Sequence, residues 1–204
     1  MTLANNVVVL DFETTGLSPD MGDRAIEIGA VKLVDGQVVD SFQALINPGQ
    51  RVNSFIEQYT GISNQMLKDA PRSNVVMGQF TEFIAGFNLV AHNASFDKKF
   101  LDAEFSANKL SYSGQFACSL LLSRRISQEA PNHKLGTLIQ HHQLANDGVF
   151  HRALADATMT ANLWLHQVSL LQQRLPTQQI TLDIINKISR LPKAKIANFF
   201  QTIK

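Results

Sequence analysis

Val7-Val8-Val9-Leu10 is an unbroken apolar run that turns into alternation at Asp11-Phe12-Glu13-Thr14. A strand buried on both faces reads this way. Because i and i+2 share a side of a strand, Asp11 and Glu13 project together while Leu10 and Phe12 point the other way. Residues 25–33 and 37–46 alternate and are rich in β-branched residues, and Val34-Asp35-Gly36 between them is a hairpin turn signal. Asn47-Pro48-Gly49 ends the second arm. Helical patterns follow over 54–59 and 74–86, then a short buried strand, Leu89-Val90-Ala91. A helix is predicted to begin near Ala94, with Asn93 or Ser95 able to cap it. Residues 116–121 read as a strand, 135–143 as a helix and 154–171 as a long one. Three opening strands followed by alternating elements predict an α/β layered fold.

Leu175-Pro176 ends the long helix, and the chain beyond it has its own pattern. Ile180, Leu182, Ile184, Ile185 and Ile188 form an apolar stripe at helical spacing, Leu191-Pro192 breaks it, and a basic segment follows over 193–200. The expected organisation is one domain over 1–175 and a basic helical extension over 176–204. The stripe suits packing on the body, or docking to another protein, a second copy or a polyanion.

Composition adds limits. With 204 residues, 45% of them hydrophobic, there is material for one real core. No run of about 18 apolar residues exists and the N-terminus lacks a leader pattern, so a soluble, cytoplasmic protein without a membrane role is expected. The single Cys118 excludes an intrachain disulfide and fits a reducing compartment. Net charge is +1, but residues 183–204 carry +4 and the remainder −3. A polyanion would therefore be met through metal ions and local cations, for which Lys98, Lys99, Arg124, Arg125 and Arg152 are the candidates.

The chemistry lies in three segments: VVVLDFETTGL with Asp11 and Glu13, LVAHNASFDKKFL with Asp97, and HRALADATMTANLW with His151 and Asp156. Buried carboxylates need positive compensation, and a pair of divalent cations supplies it. Thr14-Thr15-Gly16 places hydroxyls and a flexible turn at the end of a strand, where α/β sheets carry their sites. In one continuous helix His151 and Asp156 would sit about 140° apart. His151 is therefore expected on the loop before the helix and Asp156 inside it, both facing a substrate. His133, His141, His142 and His166 lack zinc-ligand spacing and read as surface or core residues.

DFETTG, HNASFD and HRALAD match, in order and local pattern, the three motifs of the DnaQ-like exonuclease superfamily in its DEDDh subgroup, named for four acids and a histidine. The resemblance covers roughly residues 5 to 170, and YTGISNQMLKDAP is similar to the stretch between motifs in proofreading epsilon subunits of bacterial DNA polymerase III. It implies a ribonuclease H-like mixed β-sheet flanked by α-helices. It also implies a two-metal 3′-to-5′ exonuclease, using Mg²⁺ or Mn²⁺, that releases nucleoside 5′-monophosphates from nucleic acid with a free 3′ end, DNA favoured over RNA. Asp11 would bridge both metals, Glu13 and Asp156 would hold the one that activates water, Asp97 would support the other, and His151 would be the general base, an imidazole's ordinary pKa near 6.5 suiting that role. The TTG backbone of Thr14, Thr15 and Gly16 would lie near the terminal sugar, Leu17, Ile62 and Phe96 would bracket terminal bases, and His92 and Asn93 would adjoin the substrate. An RNA 3′-end trimming enzyme and a polymerase-associated binding subunit are the alternatives.

Overall fold

The computed structural model describes residues 3–145, 151–175 and 179–202. Its centre is a five-stranded mixed sheet of order β3-β2-β1-β4-β5, with β1 Val7–Thr14, β2 Ala25–Val34, β3 Gln37–Leu45, β4 Asn88–Ala91 and β5 Phe116–Cys118. The first three strands are antiparallel, while β4 and β5 run parallel to β1. The β2–β3 hairpin closes through Asp35 (φ 49°) and Gly36 (φ 77°). Two successive left-handed residues match the twist of paired strands, which is why the Asp-Gly signal is reliable here.

Helices cover both faces. On one, Val8, Leu10 and Phe12 of β1 pack against Phe80 of α3 (Ser73–Ile84) and Phe100 of α4 (Ala94–Ala107). On the other, Val7 and Val9 pack against Leu122 of α5 (Ser119–Ile126) and Trp164 of α7 (Ala153–Arg174). Smaller helices α1 (Ser54–Thr60), α2 (Asn64–Asp69) and α6 (Leu135–His141) fill the connections. Burial of β1 on both faces explains its unbroken apolar start.

Two local readings are corrected. Residues 116–121 are not one strand: β5 ends at Cys118 and α5 begins at Ser119, because Leu122 and Ile126 are spaced for a helix against the core. A short helix over 64–69 went unread, though Ser63 caps it by accepting from the Met66 N–H.

The apolar stripe of the tail is inside the molecule. Leu182, Ile185 and Ile188 of α8 (Leu182–Arg190), with Ile180 and with Ile196 of α9 (Ile196–Thr202), belong to the same core as Val7 and Trp164. Leu3 bridges Thr181, the Ala4 N–H donates to the Ile180 carbonyl at 2.8 Å, and Trp164 Nε1 donates to the Ala4 carbonyl at 2.7 Å. The N-terminal segment is thus tied both to α7 and to the chain leading into α8. Pro176, where a break was expected, lies outside the described residues. No described helix is long and apolar enough to cross a membrane.

Candidate active site

The site forms where β1 outruns its neighbour. β4 pairs with β1 only as far as Val90 with Val9, so the edge of β1 beyond Leu10 needs other partners. The first turn of α4 supplies one: Asp97, 2% exposed, accepts the Phe12 N–H through Oδ1 at 3.2 Å. An otherwise orphaned strand donor is thereby satisfied, and a carboxylate is fixed beside the strand end. Asp11 and Glu13 share the face of Val7 and Val9, toward α7, as the strand alternation requires.

α7 reaches them because of two residues in β2. Gly29 lies opposite Asp11, and a Cβ there would fall 2.1 Å from the Leu154 nitrogen and 2.2 Å from the Ala153 carbonyl carbon. Only a bare backbone lets the start of α7 sit on the sheet. Glu27, fully buried opposite Glu13, then holds it there. Its carboxylate accepts from Arg152 Nη2 at 2.8 Å and Nε at 3.2 Å, from the Ala153 N–H at 3.0 Å, and from Gln43 Nε2 at 2.9 Å. An anion at a helix N-terminus is favourable in itself, and the paired guanidinium removes much of the desolvation penalty.

His151 lies before α7 and Asp156 in its first turn, the arrangement expected from their spacing. His151 adopts a left-handed backbone (φ 60°), held by its N–H donating to Asp156 Oδ2 at 2.9 Å. Such strain in a non-glycine residue is characteristic of functional positions. One ligating atom each from Glu13, His151 and Asp156 falls within 4.8 Å of the others. Asp11, on the same strand face as Glu13, feels the charges of Asp97, Asp156 and Glu13, and Asp97 across the strand edge acts on Glu13 in turn.

These acids repel one another in little solvent. Burial pushes the Glu13 carboxyl up to about 8, with Asp156, Glu27 and Asp97 adding to the effect and Arg152 opposing it. Burial raises Asp97 to about 7 despite hydrogen bonds from the Phe12 N–H and its own N–H. Asp11 is raised well above the carboxylate range, by burial first and then by Asp97, Asp156, Glu13 and Glu27. Compensation by protein cations is slight, since Arg152 is committed to Glu27 and Arg24 forms a two-pronged pair with Glu104. An all-oxygen donor set of excess negative charge suits hard divalent cations. Asp11, Glu13, Asp97 and Asp156 are the residues that would hold them.

The remaining expected contacts divide. Leu17 is exposed (77%) beyond the strand end, its carbonyl accepting from Lys99 Nζ at 2.9 Å. Thr14 Oγ1 donates to the Gly16 carbonyl at 2.6 Å, and Thr15 Oγ1 donates to Asp23 at 3.2 Å, so both hydroxyls stiffen the turn. Phe96 is half-buried against Phe100, ring centroids 5.0 Å apart. Asn93 begins α4 with φ 73° and no side-chain cap bond.

Two expectations fail. Ile62 is fully buried among Ile26, Val52 and Leu67 and offers no surface to a base. His92 is engaged with Ser119 Oγ at 2.8 Å and the His133 carbonyl at 2.9 Å. Burial lowers its pKa to about 4, so it is a neutral structural histidine. The local cations are also largely spoken for: Lys98 pairs with Asp102, Lys99 with Leu17, Arg125 with the Leu191 carbonyl and Arg152 with Glu27, leaving exposed Arg124.

Tyr59 was not foreseen. Its ring lies 4.0 Å from that of His151 and 5.7 Å from that of Phe55, both tyrosine and phenylalanine standing exposed on α1. The i, i+4 spacing of two exposed aromatics was the available signal. Glu27 and Gly29 were hidden in an ordinary strand pattern, where a lone glycine marks a close approach.

Comparisons with known proteins agree with this geometry. The 3′-5′ exonuclease DinG of Bacillus subtilis is 36% identical over 170 residues, 81% of this chain and 18% of that protein. The PolC-type DNA polymerase III of Caldanaerobacter subterraneus subsp. tengcongensis is 39% identical over 179 residues, 84% of this chain but 12% of that protein. The chain thus spans less than a fifth of the length of these relatives. Among solved structures, Exonuclease X in complex with 5′ overhanging duplex DNA superposes with a TM-score of 0.70 at 24% identity, covering 90% of this chain and 99% of that one. The nuclease domain of 3′hExo, a DEDDh family member bound to rAMP, gives 0.68 at 21% identity, covering 81% of this chain and 92% of that one. These likenesses are of fold, and they make the mixed sheet ribonuclease H-like. With the exonuclease profile matching residues 8–164, the chain belongs to the exonuclease family.

Proposed function

We propose that this chain is a 3′-to-5′ exonuclease that hydrolyses the terminal phosphodiester of single-stranded or frayed DNA and releases nucleoside 5′-monophosphates. The observation that carries the reading is the convergence of Asp11, Glu13, Asp97 and Asp156, from three separate elements, with His151 at the uncovered end of β1. Two divalent cations, Mg²⁺ or Mn²⁺, would supply charge neutralisation and Lewis acidity there.

The residues divide the remaining work. His151, outside the helix and backed by Tyr59, accepts the proton of the attacking water. The water oxygen bonds to phosphorus, the bond to the upstream O3′ breaks, and that oxygen takes a proton from solvent, to which His151 later returns its own. Leu17 presents an apolar face to the terminal base, and the stiffened turn over 14–17 positions the terminal sugar. Residues 1–175 are assigned to the catalytic unit and 176–204 to a helical brace on it. The parallel with DNA polymerase III relatives supports DNA as substrate, a cytoplasmic setting and association with a polymerase. That association would use a surface other than the isoleucine stripe, which is buried.

Hydrolysis of matched 5′-labelled DNA and RNA oligonucleotides in Mg²⁺ tests the proposal. Stepwise shortening of the DNA, with a circular single strand left intact, is expected. Cleavage of the circle would reject the exonuclease reading, and faster shortening of RNA would reject the choice of DNA.

A further inference from the structure

The walls of the active site do not exhaust the binding surface. An open cleft of about 620 Å³ is formed by the chain after β3 and by α2. Arg51, Lys68 and Arg72 line it, with the amides of Asn47, Gln50 and Gln65 and no carboxylate. All three cationic side chains are exposed, and none forms an ion pair among the described residues. The nearby acids have partners of their own: Asp69 accepts from Gln65 Nε2 at 2.8 Å, and Glu57 accepts the Asn64 N–H at 2.6 Å. Three unpaired cations converging on one concavity repel each other in water, an arrangement that an anion relieves.

The cleft is mechanically continuous with the site. Gln50, on its wall, donates to the Gly22 carbonyl at 3.1 Å and lies 3.5 Å from Thr15 Oγ1, within the turn that follows Glu13. Asn64 fixes the floor by pairing with both the N–H (2.9 Å) and the carbonyl (3.0 Å) of Val52. Asn47 Oδ1 accepts the Gly49 N–H at 2.9 Å, and the Asn47 N–H donates to the Pro71 carbonyl at 2.8 Å. The cations therefore stand on a rigid frame that shares a wall with the catalytic turn. Residues 1–182 are net −3, so three cations in one cleft run against the average of that part of the chain.

We infer that this cleft binds the sugar-phosphate backbone of a nucleic-acid strand upstream of the nucleotide being removed, through Arg51, Lys68 and Arg72. The three cations suit this ligand because they can meet phosphate oxygens without reading sequence, while the amides hold the cleft in shape. The inference rests on the exonuclease reading for the polarity of the strand, but not for the presence of the anion site. It assigns to the cleft a grip on the strand beyond the terminal nucleotide that Leu17 and the turn over 14–17 would meet.

The test separates the cleft from the chemistry. Affinity for a fluorescent 16-nucleotide single strand is measured by anisotropy over a salt series, in full-length Asp11→Asn protein with and without Arg51→Gln, Lys68→Gln and Arg72→Gln together. Three lost phosphate contacts should weaken binding about tenfold and flatten the logarithmic salt dependence by about 2. In the otherwise wild-type protein, the same three substitutions should leave hydrolysis of the p-nitrophenyl ester of thymidine 5′-monophosphate unchanged, since that substrate has no upstream strand. Unchanged affinity and salt slope in the folded triple variant would overturn the inference. So would polyglutamate competing as strongly as the 16-mer, because the cleft would then be a general acidic-peptide site. If wild-type protein hydrolysed neither oligonucleotide nor ester while the substitutions still weakened the 16-mer, the exonuclease reading would fail and the cleft assignment would stand.

Discussion

The Tyr59 ring rests against the His151 imidazole, centroids 4.0 Å apart and planes inclined by 35°. His151 holds a left-handed backbone, and its N–H is bound to Asp156, so the tyrosine face restricts the freedom left to the ring. If His151 is the base, His151→Ala should lower the single-turnover rate by about 10²-fold to 10⁴-fold. Tyr59→Phe should keep the rate near wild type, whereas Tyr59→Ala should lower it by roughly tenfold, since misplacing a catalytic group reduces rate without abolishing it. Equal rates for all three proteins would remove both residues from the chemistry.

Asp11→Asn should abolish turnover and at the same time raise the melting temperature in chelator. The substitution deletes a group that burial and four carboxylates disfavour as an anion. Conversely, Mg²⁺ should stabilise the wild-type protein through preferential binding to the folded state, and the variant much less. Calorimetry with and without metal decides it; a variant less stable than wild type in chelator would contradict the electrostatic picture.

The raised carboxyls also set a pH dependence. Glu13, near 8, and Asp97, near 7, bind protons more tightly folded than unfolded. Their stabilisation is complete below ordinary carboxylate pKa values and is lost as pH rises through 7 and 8. His92, lowered to about 4, acts in the opposite sense only below its ordinary value near 6.5. Between about pH 6.5 and 8, the melting temperature in chelator should therefore fall as pH rises. Saturating Mg²⁺, which takes the place of those protons, should flatten the curve. A chelated protein whose stability rises over that interval would refute the assignment.

Gly29→Ala should displace the start of α7, because the added carbon would meet backbone at 2.1 Å and backbone cannot swing aside. Activity should drop by at least a hundredfold with the sheet intact by circular dichroism. Glu27→Gln should act in the same direction by weakening the bonds to Arg152 and Ala153. Full activity in Gly29→Ala would show that the helix start can move without harm.

Removing the residues after Leu175 should leave a protein that does not fold stably. Ile180, Leu182, Ile185, Ile188 and Ile196 are each almost fully buried. At about 1.5 to 3 kcal/mol apiece, their loss rivals the whole stability of a typical domain, about 5 to 15 kcal/mol. Ile185→Ala alone should cost about 2 to 5 kcal/mol in urea unfolding. A cooperative, unchanged urea transition in the truncated chain would show the tail to be dispensable.

The strand–hairpin–helix order and the positions of Asp11, Glu13, Asp97, His151 and Asp156 could be read from the chain itself. Each depends on neighbours a few residues away: the two-residue alternation of β1, the Asp-Gly turn, the start of α4, and the spacing that put His151 outside α7. Local sterics and hydrophobic periodicity act over that range. What only tertiary structure decided depends on residues far apart in sequence. Glu27 meets Arg152 125 positions away, Phe12 finds Asp97 at a separation of 85, and Tyr59 reaches His151 from a different layer. Ile62 and His92 looked available because sequence does not show which side of a loop faces the core. The tail looked free for the same reason. Its isoleucine stripe announced that something must cover it, but only the packed fold, which must bury apolar surface wherever geometry allows, determined that the cover was its own core.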